Sequence, residues 1–411
     1  MGGMAIPLWA SVPFLAFLVA IAAGPFVHRA WWERSYHVIA IALGLATALA
    51  YASLFHNYDR IWHTALDYFS FIVLLASLFV VTGGILIRIG GRPHPLINAA
   101  ILLVGALLSN VLGTTGASML FIRPYLHINR ARMKGYLIVF FIFAVSNIGG
   151  ALTPIGDPPL FLGYLKGVPF FWVIANAWQA WAFTLFAVLA VFLVMDYKNH
   201  RATPPLSVAA SGSRLLLKGW YNFFFLAVII LAVFRPTPYR ELMMLGAAAA
   251  SYLLTPRDIH REHHFTFGPI REVAILFFGI FATMMPALDW LEANSHSLGI
   301  STPGGYYWAS GLLSSFLDNA PTYLSFLEAA KGLKGMGVAG LLSQAPHFIL
   351  AISLGAVFFG AMTYIGNGPN FMVKSIAERA GLGCPSFLGY IFRYSAPILL
   401  PIFFLVWLIF L

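Results

Sequence analysis

Two carboxylates lie in apolar surroundings: Asp157 in GALTPIGDPPLF (150–161) and Asp318 in LLSSFLDNAPTY (312–323). An ionisable group inside a membrane segment is costly, and by default it marks an ion or proton path. The plainer alternative is that each acid caps the N-terminus of a half-helix. Both stretches carry Pro and Thr, and the first carries Gly as well, where a long helix would exclude Gly and Pro. A helix broken there frees carbonyls at one stub, which can hold a cation. At the other stub it leaves amide hydrogens, which can hold an anion.

The first stretch occurs twice. GAMTYIGNGPNF (360–371) is identical to GALTPIGDPPLF at seven of twelve positions. Thr153 and Thr363 add hydroxyl oxygens, Gly156 and Gly366 let backbone approach a ligand, and Pro159 and Pro369 restart a helix at a favoured first-turn position. The second stretch also has a partner, because LLSNVLGTTGAS (107–118) aligns with 312–323. These tips offer Ser109, Asn110, Thr114 and Thr115 on one side, and Asn319 and Thr322 on the other. Their neutral oxygens and amides can coordinate Na⁺ or donate to a carboxylate. Ser146, Asn147 and Asn370 flank the breaks and are expected to face the same cavity. The positions equivalent to Asp157 and Asp318 are Asn367 and Gly113, so the two half-sites are chemically different.

Composition sets the environment for these residues. Of 411 residues, 60% are hydrophobic and 9% charged, with a mean hydropathy of +0.83. Soluble domains carry roughly 25% charged residues, so the chain is expected to be membrane-embedded. A net charge of +10 then orients the chain in a bilayer and does not point to nucleic acid. Cys384 is the single cysteine, which excludes an internal disulfide. The first apolar run lacks a readable cleavage site and is taken as a retained helix.

Apolar runs able to cross about 30 Å of hydrocarbon begin near Leu8, Tyr36, His63, Lys134 and Phe170, and again near Trp220, Glu241, Glu272, His347 and Phe387. Stretches 96–122 and 303–330 have polar, Gly/Pro-containing centres and are expected to be re-entrant hairpins. The two sequence matches share nearly one offset, which makes the chain an internal duplication. The expected fold is an all-α polytopic membrane protein with about ten transmembrane helices plus two hairpins. Residues 1–197 and 219–411 form the copies, and 198–218 a cytoplasmic linker. Each copy has three helices, a hairpin, a broken helix and a final helix. It crosses five times, so the second copy is inverted, a pattern of many secondary transporters.

Most basic residues fall in loops on one side, among them Arg88, Arg92, Arg130, Lys134, Arg214, Lys218 and Arg257. The positive-inside rule makes that side cytoplasmic, with both termini and the loop near Ser295 outside and Ser211 inside. Asp67 and Asp289 are expected at a cavity rim or interface, and Lys374 and Glu378 as an i,i+4 pair. His260, His263 and His264 lack a Cys/Asp/Glu frame for zinc. No HExxH, GxSxG or Walker-type motif supports an enzyme or an ATP-driven pump.

SNIGGALTPIGDPP (146–159) resembles the SN-x-GGA-x-[ST]PIGD signature of NhaD-type sodium/proton antiporters. GAMTYIGNGPNF and DNAPTY are similar to the matching segments of citrate and arsenite transporters. All belong to the ion transporter superfamily, which also includes divalent anion/sodium symporters. The resemblance implies a scaffold region, usually dimerising, and a transport region that moves like an elevator. It also implies sites built from 109–118, 153–159, 314–323 and 363–370. Symporters of this superfamily place Ser-Asn-Thr at both tips. Here Ser109-Asn110 lacks the following Thr, and Asp318-Asn319 stands at the second tip.

The first functional expectation is a secondary active Na⁺/H⁺ antiporter of the plasma (inner) membrane, with Asp157, Asp318, Asn110, Thr153, Asn319 and Thr363 binding Na⁺ or a proton. The alternative is a cation-coupled organic-anion carrier of the citrate type. A carboxylate about 4 Å from another unit negative charge costs ~4 kcal/mol at an effective dielectric near 20, which disfavours a bare polycarboxylate beside Asp318. A passive channel, the third reading, needs no duplicated site. Coupling ions are the expected cofactors. Lipid, a small ion or organic anion, and a second copy in a homodimer are the expected partners.

Overall fold

The computed structural model describes residues 6–90, 93–202, 215–262 and 265–411. Arg92, Ser211, Arg214, His263 and His264 lie outside the described residues. In the first repeat a 3-10 turn, Leu8–Ser11, leads into α1 (Val12–Val27), α2 (Arg29–Phe55) and α3 (Tyr58–Gly83). These precede β1 (Leu86–Ile89), α4 (Pro95–Ile128), α5 (Gly135–Ala144), α6 (Pro158–Leu165) and α7 (Trp172–Ala202). After β2 (Leu215–Lys218), the second repeat runs α8 (Asn222–Val233), α9 (Tyr239–Leu254), the short α10 (Arg257–Glu262) and α11 (Gly268–Asn294). It continues with α12 (Pro303–Ser314), α13 (Asn319–Lys334), the short α14 (Val338–Gln344), α15 (Pro346–Phe358) and α16 (Gly368–Arg379). A final helix joins α17 (Phe387–Tyr390) through a π turn to α18 (Ala396–Phe410).

The local sequence explains the starts. Proline occupies the first turn of α4, α6, α12, α15 and α16, where its missing N–H has no intrahelical partner to lose. Asn57 caps α3 on Arg60 N–H (3.1 Å) and Thr302 caps α12 on Gly305 N–H (3.1 Å). Among the described residues, six helical segments are long and apolar enough to cross a membrane, and the pair Val338–Gln344 and Pro346–Met362 is bent by 106°. Shorter apolar helices complete a multi-pass membrane protein.

One of those six segments does not cross. Gly113 (φ 74°, ψ 154°) breaks the 34-residue α4, which if straight would be about 50 Å long. Asn98 and Asn129 exchange side-chain amide hydrogen bonds at 2.8 Å each, and a Cβ on Gly105 would lie 3.7 Å from Phe121 Cγ. The chain therefore doubles back as a hairpin. α12 and α13 form the second hairpin, with Tyr306 against Phe326.

The helices fall into two groups by packing. α1, α2, α3, α8, α9 and α11 form one, the two hairpins with α5–α7 and α14–α18 form the other, and the two are packed together along α11 with α13 and along α3 with α4. α5 is apolar all round, as is α15, and nearly every residue of both is buried. Such helices belong at the centre. Lipid is as apolar as leucine, so close van der Waals packing holds them there. Gly105 admits Val145, and Gly311 admits Phe359.

The antiparallel β1–β2 ribbon, Leu86 opposite Lys218, was not foreseen. It orders the end of the expected linker 198–218, and α7 runs into its start. The ribbon marks one face of the protein, and the opposite face is called the far face below.

Candidate functional site

Both breaks fall at the centre. In the first break α5 ends at Ala144, a 3-10 turn spans Ile148–Gly150, and helix resumes at Pro158; in the second a 3-10 turn ends at Met362 and helix resumes at Gly368. The irregular segments are thus 151–157 and 363–367, ending short of the expected site stretches 153–159 and 363–370 because Pro158, Pro159 and Pro369 are already helical. In each break the threonine organises the turn. Thr153 Oγ1 donates to Asn110 O (2.5 Å) and accepts from Gly156 N–H (3.0 Å). Thr363 Oγ1 donates to Ser315 O and accepts from Gly366 N–H (3.1 Å). Ser315 is the repeat mate of Asn110, so one bond recurs in both copies. The glycines recur for the same reason. A Cβ on Gly150 would lie 2.8 Å from Gly156 O, and one on Gly366 would lie 2.7 Å from Gly360 O.

Asp157 is buried at 1% exposure. It stands at the N-cap of α6 without making a capping bond. Its Oδ1 accepts from Thr114 Oγ1 (2.9 Å) and Asn367 Nδ2 (3.2 Å), and its Oδ2 from Asn319 Nδ2 (2.9 Å). Thr114 and Asn319 are repeat mates at the hairpin tips, and Asn367 is the mate of Asp157 itself. The pseudo-two-fold relation between the inverted repeats therefore passes through this carboxylate. With both oxygens already engaged, its charge is stabilised by neutral donors alone.

An amide chain supports it. Asn147 Oδ1 accepts from Asn367 Nδ2 (3.2 Å), Asn147 Nδ2 donates to Asn370 Oδ1 (2.7 Å), and Asn370 Nδ2 donates to Gly360 O (2.8 Å) and Thr363 O (2.9 Å). Ser146 shares a hydrogen bond with Ser118 (2.8 Å). Ser109 Oγ donates to Val145 O (2.8 Å) and Asn110 Nδ2 to Gly149 O (2.6 Å). Thr322 Oγ1 donates to Asp318 O (3.0 Å). Ser109, Asn110, Thr153 and Thr363 thus tie the tips and breaks together, Thr322 bonds back within the start of its own helix, and none of the five bonds Asp157.

Asp318 behaves differently from Asp157. It does cap its helix, with Oδ1 accepting from Ala320 N–H (3.2 Å), and it is half-buried on the wall of a cavity of about 90 Å³. Thr114, Thr115, Gly156 and Asn367 share that wall, and the remainder is mainly apolar, including Leu75, Leu78, Phe79, Val273 and Phe277. No Lys, Arg or His lines it among the described residues. The apolar residues come from the end of α3 and the start of α11, so the cavity leads toward the ribbon face. Three helix N-termini, those of α6, α13 and α16, meet at the site.

Two features escaped the sequence reading. Ser314 Oγ donates to Asn319 Oδ1 (2.7 Å) and so sets which end of that amide meets Asp157. Its alignment with Ser109 was the available signal. At the hairpin base, Asp196 (0% exposed) accepts from Arg132 (2.8 Å), Asn98 (2.9 Å) and Tyr136, a cluster without any local motif. Asp67 pairs with Lys166 and Asp289 with Arg60, and Lys374 pairs with Glu378 at 3.1 Å. His260 packs against the rings of Tyr252 and Phe265.

Fold and site define an integral, multi-pass membrane protein of two inverted repeats, whose hairpin tips and broken helices meet at a buried polar centre. The chain belongs to the family described as "Putative citrate transport", which matches residues 3–411. It is similar to a 46 kDa membrane protein of Mycobacterium leprae, 26% identical over 261 residues, covering 58% of this chain and 59% of the relative. It is also similar to the P protein of Homo sapiens, 26% identical over 217 residues, covering 49% of this chain and 24% of that protein. The chain thus spans under two thirds of the length of these relatives. The family's description points to membrane transport, and neither fold nor family suggests an enzyme.

Proposed function

We propose that the protein is a secondary active transporter exchanging Na⁺ for protons. The observation that carries this reading is the Asp318 carboxylate, which faces a cavity lacking any basic side chain among the described residues. A small cation entering from the ribbon face meets one full negative charge and the Thr115 hydroxyl. A free carboxylate anion meets repulsion. Asp318 holds either Na⁺ or a proton, and that exclusion enforces exchange. Its neighbour Asn319 donates to Asp157, so the tip that senses the cation also grips the buried carboxylate of the other repeat.

A cation-coupled organic-anion carrier is the second reading. The family description favours it, as do three convergent helix N-termini, whose positive ends suit an anion. In either case the basic loops make the ribbon face cytoplasmic, with both termini outside the plasma membrane and a homodimer as the working assembly. Proteoliposomes separate the readings: a Na⁺ pulse that collapses an imposed pH gradient, without labelled citrate uptake, supports exchange. Citrate uptake that requires Na⁺, with no Na⁺-driven proton movement, overturns it.

A further inference from the structure

The two helix groups are fastened to each other on one face. Lys166, the C-cap of α6, reaches Asp67 on α3 at 2.5 Å, and Lys331, in the last turn of α13 and also paired with Glu328 on its own helix, reaches Glu292 on α11 at 3.2 Å. Both lysines belong to the hairpin group and both acids to the other. α6 and α13 begin at Asp157 and Asp318, so each ion pair lies at the far end of a helix that starts in the site. Near the same end, Tyr164 OH donates to Val233 O across the two groups (2.9 Å). Gly332 lies so close to the Glu292 carbonyl that a Cβ there would overlap it.

The opposite, ribbon-face ends of α3 and α11 carry no ion pair to the hairpin group among the described residues, although α3 packs there on α4, where a Cβ on Gly116 would lie 2.8 Å from Thr82 Cγ2. α3 and α11 line the cavity with Leu75–Phe79 and Pro269–Phe277 at their ribbon-face ends. Among the described residues, the ribbon-face ion pairs Arg88–Glu262 and Lys218–Glu262 join the ribbon to α10, and Lys374–Glu378 lies within α16; none of the three ties α3 or α11 to the hairpin group. On the far face, the crevice beside Asp67, with a volume of about 570 Å³, stops at Tyr164 and Leu165 on α6 and does not reach Asp157.

We propose that Lys166–Asp67 and Lys331–Glu292 are latches that hold the site shut on the far face, and that both must part before it opens there. Their side chains are about one-fifth exposed, except for Glu292 at 44%. Each pair is therefore weak, and a weak pair can be broken and remade in every cycle. Together they bias a two-state equilibrium about fivefold to tenfold. The proposal rests on the transporter reading of the site but not on its substrate.

The test uses the full-length protein with Cys384→Ser and a single reporter cysteine, in membranes exposed to an impermeant maleimide on either side. Leu160→Cys reports the buried stretch of α6 below the crevice, and Val273→Cys reports the cavity. Adding Asp67→Asn with Glu292→Gln should raise labelling at Leu160→Cys from the far face about fivefold or more and lower it at Val273→Cys. The charge swap Asp67→Lys/Lys166→Asp, with Glu292 intact, should return both rates toward the parent. Unchanged rates, or rates that rise at both reporters, overturn the latches. Because no transport is measured, a failed exchange assay would not be mistaken for a failed latch.

Discussion

Asn367 donates its side-chain amide to the Asp157 carboxylate across 3.2 Å, so the residues occupying one position in the two repeats face each other. Only one of them is charged. The duplication has supplied the acid on one side of the pseudo-two-fold relation and its neutral donor on the other.

That pairing predicts the outcome of Asp157→Asn. The new amide can keep the bonds to Thr114 and Asn367, but its NH2 then confronts the Asn319 NH2. Leaving these donors unpaired costs about 1–3 kcal/mol, seen as a lower melting temperature in detergent, and cation-driven proton movement is lost. Asn319→Asp added to Asp157→Asn restores donor-to-acceptor complementarity and should recover most of the stability. Wild-type exchange by Asp157→Asn alone would show that the carboxylate is dispensable.

Asp318→Asn should separate stability from binding. Asn caps a helix about as well as Asp, so the melting temperature should change little. The full negative charge facing the cavity is gone, and Na⁺-driven proton flux should fall at least tenfold. An unchanged Na⁺ dependence of that flux would remove Asp318 from the ion path.

Two glycines in one segment should respond in opposite ways. Gly366→Ala drives a methyl to 2.7 Å from Gly360 O, whereas a Cβ on Gly368 meets nothing within 4 Å. The first should cost about 1–3 kcal/mol and the second almost nothing, as read by thermal stability in detergent. Equal effects would contradict the backbone contact.

Arg132 and Asp196 are paired at 1% and 0% side-chain exposure. Arg132→Ala strands a buried carboxylate at a cost of about 3–5 kcal/mol, while replacing both, as in Arg132→Met/Asp196→Leu, should recover much of that loss. Unfolding of the purified variants measures both. A double variant no better than the single one would mean that the hairpin base needs its charges.

Sidedness is tested in a Cys384→Ser background. Ser295 is buried and is therefore a poor reporter, whereas Ser297 beside it is exposed. Ser297→Cys should label from outside intact cells. Labelling only after permeabilisation would invert the topology drawn from the basic loops.

The sequence by itself determined the membrane setting, the two hairpins, the two breaks and their duplication. Each leaves a local mark: apolar runs, Gly/Pro interruptions, and twelve residues written twice. It also assembled the right set of polar residues, since Asp157, Asn367, Thr114 and Asn319 all lie within those marked stretches. What each residue does there was decided by tertiary structure. Asp157 and Asp318 look alike in sequence, both preceding a helix and both followed within three residues by proline. Only folding turns one into a buried acceptor of three hydrogen bonds and leaves the other capping its helix beside a cavity. The ribbon, the Arg132–Asp196 clasp and the two latches were equally unreadable, because their partners are tens to hundreds of residues apart and meet without a repeating pattern. A local signal reports what a backbone segment can do, whereas hydrogen-bond and ion-pair partnerships depend on which segments the packing of two inverted halves brings within about 3 Å of each other.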